Sequence, residues 1–379
     1  MAGLNETPGA NRIRIAFFGL RNAGKSTLVN AFTGQSIAIV SEVAGTTTDP
    51  VSKAMEILPL GPCLVTDTAG LDDEGELGQM RVERTLRVLE TTDIAVWVSA
   101  SEDANHPARA LFSKTCRRLN VKEVAFVRGE TVESLKARIA ALGPFDVEPK
   151  LLEGFVQRGD RILCVCPIDE SAPKGRLILP QVQVLRACLD LGAVATVCQP
   201  SDLSRLFLSS AAPNSAFDLV ITDSQAFREV AAAIPLEQRL TSFSILFARQ
   251  KGDWDAYREG LARLRDLKDG DTVLMAEGCT HHRQCNDIGT VKLPKALMRL
   301  SGKTLNFEFV SGASFEDVSP DRIALVVQCG GCMLTRREVC RRIAAARAAG
   351  VPIVNYGMVL ALAAGVDLSR CVEPEGVGK

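Results

Sequence analysis

The sequence predicts an α/β protein of three domains, and three observations lead to this prediction. First, 379 residues are more than a single hydrophobic core usually supports. Second, short β-rich runs alternate with helix-like runs, which is typical of parallel sheets covered by helices. Third, a glycine-rich loop follows the first β-run, and cysteines at ligand spacing follow two of the last ones. We expect the domains to span residues 1–170, 171–268 and 269–379.

Composition narrows the class of protein. The formal net charge is −1, so the chain lacks the basic footprint of proteins that bind nucleic acid or acidic lipid. No apolar run reaches the length of a membrane span, and the N-terminus has no secretory apolar region. Twelve cysteines in such a chain favour a reducing compartment, where thiols are ligands or core residues. We therefore expect a cytoplasmic protein that binds neither nucleic acid nor membranes.

The first domain opens with a β-run at residues 13–18, followed directly by the complete pattern G-x-x-x-x-G-K-S. In such a loop the backbone N–H groups wrap the phosphates, Lys25 reaches the β- and γ-oxygens, and Ser26 ligates Mg²⁺. The helix that follows faces the phosphates with its positive end. Strand, loop and helix in this order predict a P-loop GTPase fold. The expected nucleotide ligands of this segment are Gly19, Asn22, Ala23, Gly24, Lys25, Ser26 and Thr27.

Further pieces of a GTPase follow along the chain. Thr47, in a hydroxyl-rich loop, is the expected second Mg²⁺ ligand. In the D-x-x-G pattern, Asp67 holds Mg²⁺ through water and the Gly70 N–H senses the γ-phosphate. Lys25, Asp67 and Gly70 are thus the predicted catalytic residues. Guanine recognition is altered, because Arg128-Gly129-Glu130 stands where N-K-x-D is expected, which leaves Glu130 as the candidate base contact. The later S-A segment also looks altered, at residues 162–166.

The first domain resembles the TrmE–Era branch of GTPases in these motifs. In that branch an Asn at the position of Asn22 helps to hold an activating K⁺ ion. Leu71 stands where a Ras-type enzyme places its water-orienting Gln. The resemblance implies slow, K⁺-stimulated turnover of GTP to GDP.

The middle domain is predicted to be a small layer of three parallel strands, at residues 193–198, 217–222 and 242–247, with helices between them. Such a layer has two open edges and a thin core, so we expect it to pair with its own copy as a homodimer. Asp223 and Ser224 are predicted to form a turn and a helix cap rather than an active site.

Three cysteines at ligand spacing define the third domain. Cys279 follows one predicted strand, and Cys329 and Cys332 flank a Gly-Gly turn after another. The carboxyl ends of strands are the usual location of sites in open α/β sheets. Three thiolates with an oxygen or imidazole nearby suit an iron–sulfur cluster with one weakly held iron better than a Cys₄ zinc site. The alternative interpretation is that these cysteines are buried and inert, as expected for most of the other cysteines.

The chain resembles, over essentially its whole length, the [FeFe]-hydrogenase maturation GTPases of the HydF family. The resemblance implies a GTPase domain, a dimerisation domain and a domain with a [4Fe-4S] cluster on the three cysteines. It also implies a scaffold that receives a diiron precursor made with two radical-SAM maturases and passes it to the apo-[FeFe]-hydrogenase. The matching segments are residues 45–51, 173–183, 241–249, 279–282, 287–289, 329–333 and 351–357.

One position departs from the cluster motif of that family, since Gln328 stands where the family has His. The fourth iron is then open to His281, a carboxylate, water or the incoming precursor. A regulatory GTPase with a structural zinc at the three cysteines is the alternative hypothesis, and a redox enzyme is a third. Iron, sulfide and zinc analysis separates the first two.

Overall fold

The chain is described here by a computed structural model that covers residues 7–34, 51–72, 76–99, 106–143, 149–168, 175, 177–208, 217–278, 287–312, 315 and 318–372. It forms two compact units, Met1–Val147 and Glu148–Lys379. The end of the first domain was expected at residue 170. The first unit ends at Val147, and residues 148–170 belong to the second unit.

The first unit is a five-stranded sheet with helices on both faces. Its strands are β1 (Ile13–Gly19), β2 (Val51–Ile57), β3 (Gly61–Asp67), β4 (Ile94–Ser99) and β5 (Lys122–Val127). Its helices in the described ranges are α1 (Lys25–Thr33), α2 (Glu76–Glu90), α3 (Pro107–Arg118) and α4 (Val132–Ala140). The strand order is β2-β3-β1-β4-β5, and every neighbouring pair is parallel except β2 with β3.

Alternate residues of the central strand β1 fill two hydrophobic layers. Ile15 and Phe17 pack in the layer under α1 and α4, whereas Ala16 and Phe18 pack in the layer under α2 and α3. Successive side chains of a strand point to opposite faces, so a strand covered on both sides is apolar throughout. This packing fixes Gly19, the last residue of β1, at the carboxyl end of the central strand, where the glycine-rich loop begins.

The second unit contains two parallel sheets of four strands each. The strands of the first sheet are β6 (Arg161–Val165), β7 (Val194–Cys198), β8 (Leu219–Thr222) and β9 (Leu240–Ser242), in the order β7-β6-β8-β9. Those of the second are β10 (Thr272–Ala276), β11 (Asn306–Val310), β12 (Leu325–Gln328) and β13 (Ile353–Asn355), in the order β11-β10-β12-β13. The predicted α/β class with parallel sheets is confirmed.

Helices cover both sheets of the second unit. They are α5 (Leu179–Leu191), α6 (Leu203–Leu208), α7 (Phe227–Ala233), α8 (Phe243–Lys251), α9 (Trp254–Ala262), α10 (Leu293–Ser301), α11 (Arg336–Ala348), α12 (Tyr356–Ala363) and α13 (Ser369–Val372), with a π-helical turn at Ile288–Lys292 before α10. In the ranges of the chain given above, no helix combines the length and apolarity that crossing a bilayer requires.

Both sheets of the second unit share one topology. In each, the chain forms a central strand, then its neighbour on one side, and then two strands on the other side. The order reverses between β6 and β8 in the first sheet and between β10 and β12 in the second. Ligands of open α/β sheets bind at such switch points, outside the carboxyl ends of the strands.

One hydrophobic core joins the two sheets, with α8 between them. Val165 and Ile221 of the first sheet, Val327 of the second, and Phe243 and Phe247 of α8 belong to the same buried cluster. Helix α8 packs against α5 as well as against α11 and α12. The carboxyl ends of strands from both sheets therefore meet around the start of α8.

The second unit differs from the sequence prediction in three places. Residues 242–247 were predicted as a strand, but β9 ends at Ser242 and α8 follows at once, because the Ser242 hydroxyl accepts from the Ile245 N–H (3.2 Å) and caps the helix. A short apolar run does not distinguish a buried helix from a buried strand. The first sheet has four strands instead of three, because β6 belongs to it, and β11 was not predicted.

Candidate nucleotide and cluster sites

The loop between β1 and α1 has the shape of a phosphate-binding turn. Asn22 (φ 59°) and Gly24 (φ 89°) are both left-handed, and α1 begins directly after Gly24. Gly19 must lack a side chain, since a Cβ there would lie 2.3 Å from the Val98 carbonyl oxygen. Turns of this kind align backbone N–H groups into a concave anion site. Ala23 belongs to the same loop, and Thr27 is exposed in the first turn of α1.

Lys25 is folded back onto the loop that it is expected to serve. Its side chain is buried, and its ammonium donates to the carbonyl oxygens of Gly19 (3.3 Å) and Leu20 (2.7 Å). These contacts hold a positive charge at the mouth of the loop. A phosphate entering the loop would offer this ammonium a charge-assisted hydrogen bond, which is stronger than a bond to a neutral carbonyl.

Ser26 and Asp67 form a pair suited to Mg²⁺. The Ser26 hydroxyl donates to Asp67 Oδ2 (2.5 Å), and Asp67 is 1 % exposed at the end of β3. Burial raises the pKa of Asp67, opposed by the Ser26 hydrogen bond and the Lys25 charge. Its other oxygen, Oδ1, is buried without a hydrogen-bond partner in the described chain. A buried oxygen of this kind is costly unless a ligand meets it, so the pair fits Mg²⁺ and its water shell. Thr47, the other predicted magnesium ligand, lies outside the described residues.

The segment after Asp67 rests on the glycine-rich loop. A Cβ on Gly70 would lie 3.0 Å from the Arg21 backbone nitrogen. The Leu71 N–H donates to the Gly19 carbonyl (3.2 Å), and the Asp72 carboxylate accepts from the Arg21 N–H (2.5 Å). The Leu71 side chain is buried in the core, so it cannot orient a water molecule. Gly70 is thus held beside the loop, where the γ-phosphate sensor is expected.

Glu130, the predicted base contact, lies just after β5 and is engaged by its neighbours. One carboxylate oxygen forms an ion pair with Arg138 of α4, and the other accepts from the Val127 N–H (3.4 Å). Arg138 also donates to the Ala125 carbonyl (2.7 Å), which ties α4 to the end of β5. The expectation that residues 162–166 belong to this base site was wrong, because β6 pairs with β7 and β8 in the second unit.

The cysteine site lies at the switch point between β10 and β12. Gly278 follows β10 and Cys329 follows β12, and the Gly278 N–H donates to the Cys329 sulfur (3.0 Å). The Cys329 N–H donates to the Ala276 carbonyl (3.0 Å), so the ladder between the two strands continues into the site. The chain therefore enters the Cys279 segment beside Cys329. Cys279 and His281 themselves lie outside the described residues.

The turn between Cys329 and Cys332 requires both of its glycines. A Cβ on Gly330 would lie 2.9 Å from the Ser244 Cα, and Gly331 is left-handed (φ 70°) and packs against Val339. Burial raises the pKa of both thiols, to about 11 for Cys332. The N–H groups of Gly331 and Gly278 oppose this rise at Cys329, and the charge of Lys251 opposes it at Cys332. A metal that binds here displaces both thiol protons.

A cavity of roughly 180 Å³ opens in front of the two thiols. Its walls combine carboxylates with aromatic rings from α8, and both sheets contribute strand ends to it. The residues that matter here are Cys329, Cys332, Glu277, Asp287, Phe243 and Phe247. Asp287 is fixed as the cap of the π-helical turn, since it accepts from the Thr290 N–H (2.9 Å) and hydroxyl (3.1 Å). Glu277 and Asp287 were not predicted from the sequence, because isolated carboxylates carry no spacing signal.

Gln328, which replaces the His of the family motif, is directed at α9. It is fully buried, and its amide nitrogen donates to the Tyr257 hydroxyl (3.2 Å). Its backbone carbonyl accepts from the Asn355 side chain (3.3 Å). Gln328 is not among the residues that line the cavity. Within the described residues, no group of three His, Cys, Asp or Glu side chains could hold a metal ion.

Most of the other cysteines are core residues, as predicted. Cys63, Cys116, Cys164, Cys166, Cys188 and Cys371 are buried, while Cys198 and Cys340 are partly exposed. Burial raises the pKa of the buried thiols, to about 11 for Cys63 and about 12 for Cys116. Neutral thiols of this kind pack as small apolar groups.

Sequence models of known families match the chain in three places. The hydrogen maturase F dimerization domain matches residues 151–252, and the hydrogen maturase F tetramerization domain matches residues 255–374. Together they cover more than half of the chain. The chain belongs to the hydrogen maturase F family. A model of a 50S ribosome-binding GTPase matches residues 14–128. The predicted resemblance to HydF, with a TrmE–Era-like GTPase domain, is confirmed.

Individual relatives match the chain over shorter stretches. The tRNA modification GTPase MnmE of Zymomonas mobilis is 41% identical over 93 residues, which is 24% of this chain and 21% of that protein. GTPase Der of Wolinella succinogenes is 41% identical over 98 residues, which is 25% of this chain and 20% of that protein. The chain thus spans about a fifth of the length of these two curated relatives. Era of Aquifex aeolicus bound to GDP.AlF4- is 16% identical, with a TM-score of 0.27 over 79% of this chain and 92% of that chain.

Proposed function

We propose that this maturation GTPase is a cytoplasmic scaffold that holds a [4Fe-4S] cluster on Cys279, Cys329 and Cys332. It receives a diiron precursor made with two radical-SAM maturases and passes it to the apo-[FeFe]-hydrogenase. The observation that supports this proposal most directly is the hydrogen bond from the Gly278 N–H to the Cys329 sulfur. Gly278, the last described residue before Cys279, thus contacts the Cys329 thiol, which lines a cavity.

The residues of the site fit the proposed cluster. Cys329 and Cys332 stand on a turn with little room for other side chains, and a backbone N–H already points at one sulfur. A cluster held by three thiolates keeps one iron for an exchangeable ligand, which is the chemistry that a carrier needs. The aromatic walls of the cavity exclude water from the cargo, and Glu277 and Asp287 supply the polar contacts that orient it. His281 stays a candidate for the remaining iron.

The GTPase domain is proposed to bind GTP or GDP with Mg²⁺ and to hydrolyse GTP slowly, with stimulation by K⁺. Lys25 and Gly70 contact the γ-phosphate, and Asp67 holds Mg²⁺ together with Ser26 and Thr47. The unpartnered Asp67 oxygen beside Ser26 supports this assignment. Asn22 is the proposed K⁺ contact and Glu130 the base contact. Hydrolysis should be several-fold faster in K⁺ than in Na⁺, and Asn22→Gly, which tolerates the left-handed backbone, should remove that difference.

A homodimer is proposed to form along the exposed edge of β7. This strand lies within the dimerization match and has a neighbour on one side only. Its Val194 and Val197 side chains are 58% and 45% exposed, and Leu189 of the adjacent α5 is 73% exposed. An edge strand with exposed apolar residues is suited to pairing with a second copy.

Activation of apo-hydrogenase tests the scaffold function. The wild-type protein is reconstituted anaerobically, loaded with the diiron precursor and mixed with apo-hydrogenase, and hydrogen evolution is measured. Cys279→Ala should lose cluster absorbance and activate the hydrogenase at least about tenfold less. Cys371→Ala, which removes a buried thiol of the same unit, serves as the control and should behave like the wild type. Full activation by Cys279→Ala would contradict the proposal. Zinc without iron or sulfide in the wild type would favour a regulatory GTPase.

A further inference from the structure

Lys251, the last residue of α8, has its ammonium buried under the turn that contains Cys332. The residue is 1% exposed, and its Nζ donates to the carbonyl oxygens of Gly331 (3.2 Å) and Leu334 (2.7 Å). These carbonyls lie on either side of Cys332 in the chain. Two hydrogen bonds from one buried cation therefore fix the backbone on both sides of a predicted cluster ligand.

The burial of this ammonium calls for a functional reason. A charged group loses much of its hydration energy in the interior, and the two carbonyls, together with the Phe247 ring 5.5 Å from the ammonium, offset part of that loss. A methionine would fill a similar volume without that loss. The helix end itself is tied down independently, because the Cys340 thiol donates to the Lys251 carbonyl (3.4 Å). The backbone there does not need the ammonium to stay in place.

A second buried cation holds the other cysteine loop and shares the Glu338 carboxylate with Arg341. Arg342 is fully buried and donates to the Glu277 carbonyl (3.3 Å), just before the Gly278 N–H that contacts Cys329. Its guanidinium also pairs with the buried carboxylate of Glu338 (3.2 Å). Arg342 thus positions its loop as a member of an ion pair.

A cluster with three thiolate ligands has a net negative charge, and reduction adds one more. A fixed cation in a low-dielectric interior stabilises the reduced form more than the oxidised one. We propose that Lys251 is a positioning residue of the cluster site, which fixes the Cys332 turn and raises the reduction potential of the bound cluster. This inference rests on the proposed function, because it requires the cluster.

Redox titration tests the role of Lys251. The reconstituted full-length protein is titrated with dithionite, which donates one electron per cluster, and the reduced form is measured by EPR. Lys251→Met should retain iron and sulfide but bind the electron about tenfold more weakly, a shift of about 59 mV to lower potential. Lys251→Arg keeps the charge and should stay near the wild type. Lys295→Met, which removes an exposed positive charge from the same unit, is the matched control.

The outcomes are distinguishable. An unchanged potential in Lys251→Met, or an equal fall in Lys251→Arg and Lys295→Met, would overturn the proposal. If Lys251→Met does not fold, Lys251→Gln replaces it, since this variant keeps an N–H donor and removes only the charge. A lower potential in Lys251→Gln then supports the proposal and an unchanged one rejects it. A wild-type protein that takes up no iron–sulfur cluster rejects the proposed function itself, and with it this inference.

Discussion

Buried polar side chains at the ends of strands have different tasks in the two sites. Asp67 ends β3 with one oxygen bonded to Ser26 and the other unpartnered, as expected of a residue that awaits a cation. Gln328 ends β12 with its amide nitrogen bonded to Tyr257 of α9, although its amide oxygen is also buried without a partner in the described residues. The different neighbours, Ser26 for Asp67 and Tyr257 for Gln328, predict different effects when each residue is replaced.

Asp67→Asn should weaken the nucleotide complex only when Mg²⁺ is present. The amide is neutral and cannot hold the magnesium water shell, so the Mg²⁺-dependent gain in GTP affinity should fall about 10–100-fold. GDP binding in EDTA should change little. Fluorescent-nucleotide titration with and without Mg²⁺ measures both quantities, and Glu83→Gln on the exposed face of α2 is the control. Equal losses of nucleotide affinity with and without Mg²⁺ would contradict this role. They would show that the substitution disturbs the fold of the loop rather than the binding of Mg²⁺.

Gln328→Met should destabilise the second unit without removing iron. The substitution leaves the buried Tyr257 hydroxyl without the amide, which costs about 1–3 kcal/mol of unfolding free energy. Urea denaturation of the apo-protein measures this loss, and iron content after reconstitution should match the wild type. Loss of iron from a variant of normal stability would place Gln328 at the cluster.

The elements of the second unit are positioned by close backbone contacts. Helix α9 lies so close to β13 that a Cβ on Gly260 would sit 1.9 Å from the Ile353 carbonyl oxygen. Backbone atoms cannot rotate away as a side chain can. We expect Gly260→Ala to lower the unfolding free energy by about 3 kcal/mol or more, the upper end for overpacking.

Guanidinium denaturation of the apo-protein tests the Gly260 contact. Glu259→Ala, on the exposed face of the same helix, is the control and should change the unfolding free energy by less than about 0.5 kcal/mol. Similar values for the two variants would mean that α9 moves away from β13 at little cost.

The sequence predicted those elements whose signals are local. The glycine-rich loop is specified by consecutive residues, so Gly19, Lys25 and Ser26 could be assigned without a structure. Helix α8 was mistaken for a strand, because residue 243 and residues 245–248 are apolar and buried. In such a segment, polar and apolar residues do not alternate with a period that would distinguish a helix from a strand.

The cluster site was only half predictable. Cys329 and Cys332 follow from their spacing, but Lys251 and Glu277 reach the site from other elements, and only the packed fold brings them there. Cys279 was also chosen from its position after a predicted strand, whereas the family resemblance supplied the cargo. It did not indicate that Gln328 contacts Tyr257, because that contact joins residues 71 positions apart.

Buried thiols in both units make the whole molecule sensitive to alkaline pH. The thiol pKa of an unfolded cysteine is 9.0, whereas burial raises the folded pKa to about 11 for Cys63 and to about 12 for Cys166. Above pH 9 the unfolded chain therefore releases protons that the folded chain keeps, so the free energy of unfolding falls as pH rises. Below pH 8 both states keep these protons, and the thiols contribute no pH dependence.

Urea denaturation of the reduced apo-protein between pH 7.5 and about 10.5 measures this effect. The free energy of unfolding should stay level at first and then fall. Cys63→Val should reduce the pH-dependent decrease in the unfolding free energy of the first unit. The decrease for the second unit should stay unchanged. Stability that stays constant up to pH 10.5 would contradict the burial of these thiols.

At the scale of the whole molecule, a GTPase unit is followed by a unit of two similar sheets that share one core. The proposed function requires the second unit to hold a [4Fe-4S] cluster between the ends of β10 and β12. Iron, sulfide and zinc per chain, measured after anaerobic reconstitution together with EPR of the reduced protein, test this claim most directly. We expect about four irons and four sulfides per chain, with the reduced-cluster signal lost in Cys329→Ala and retained in Cys371→Ala. Zinc alone, or an iron content unaffected by Cys329→Ala, would contradict it.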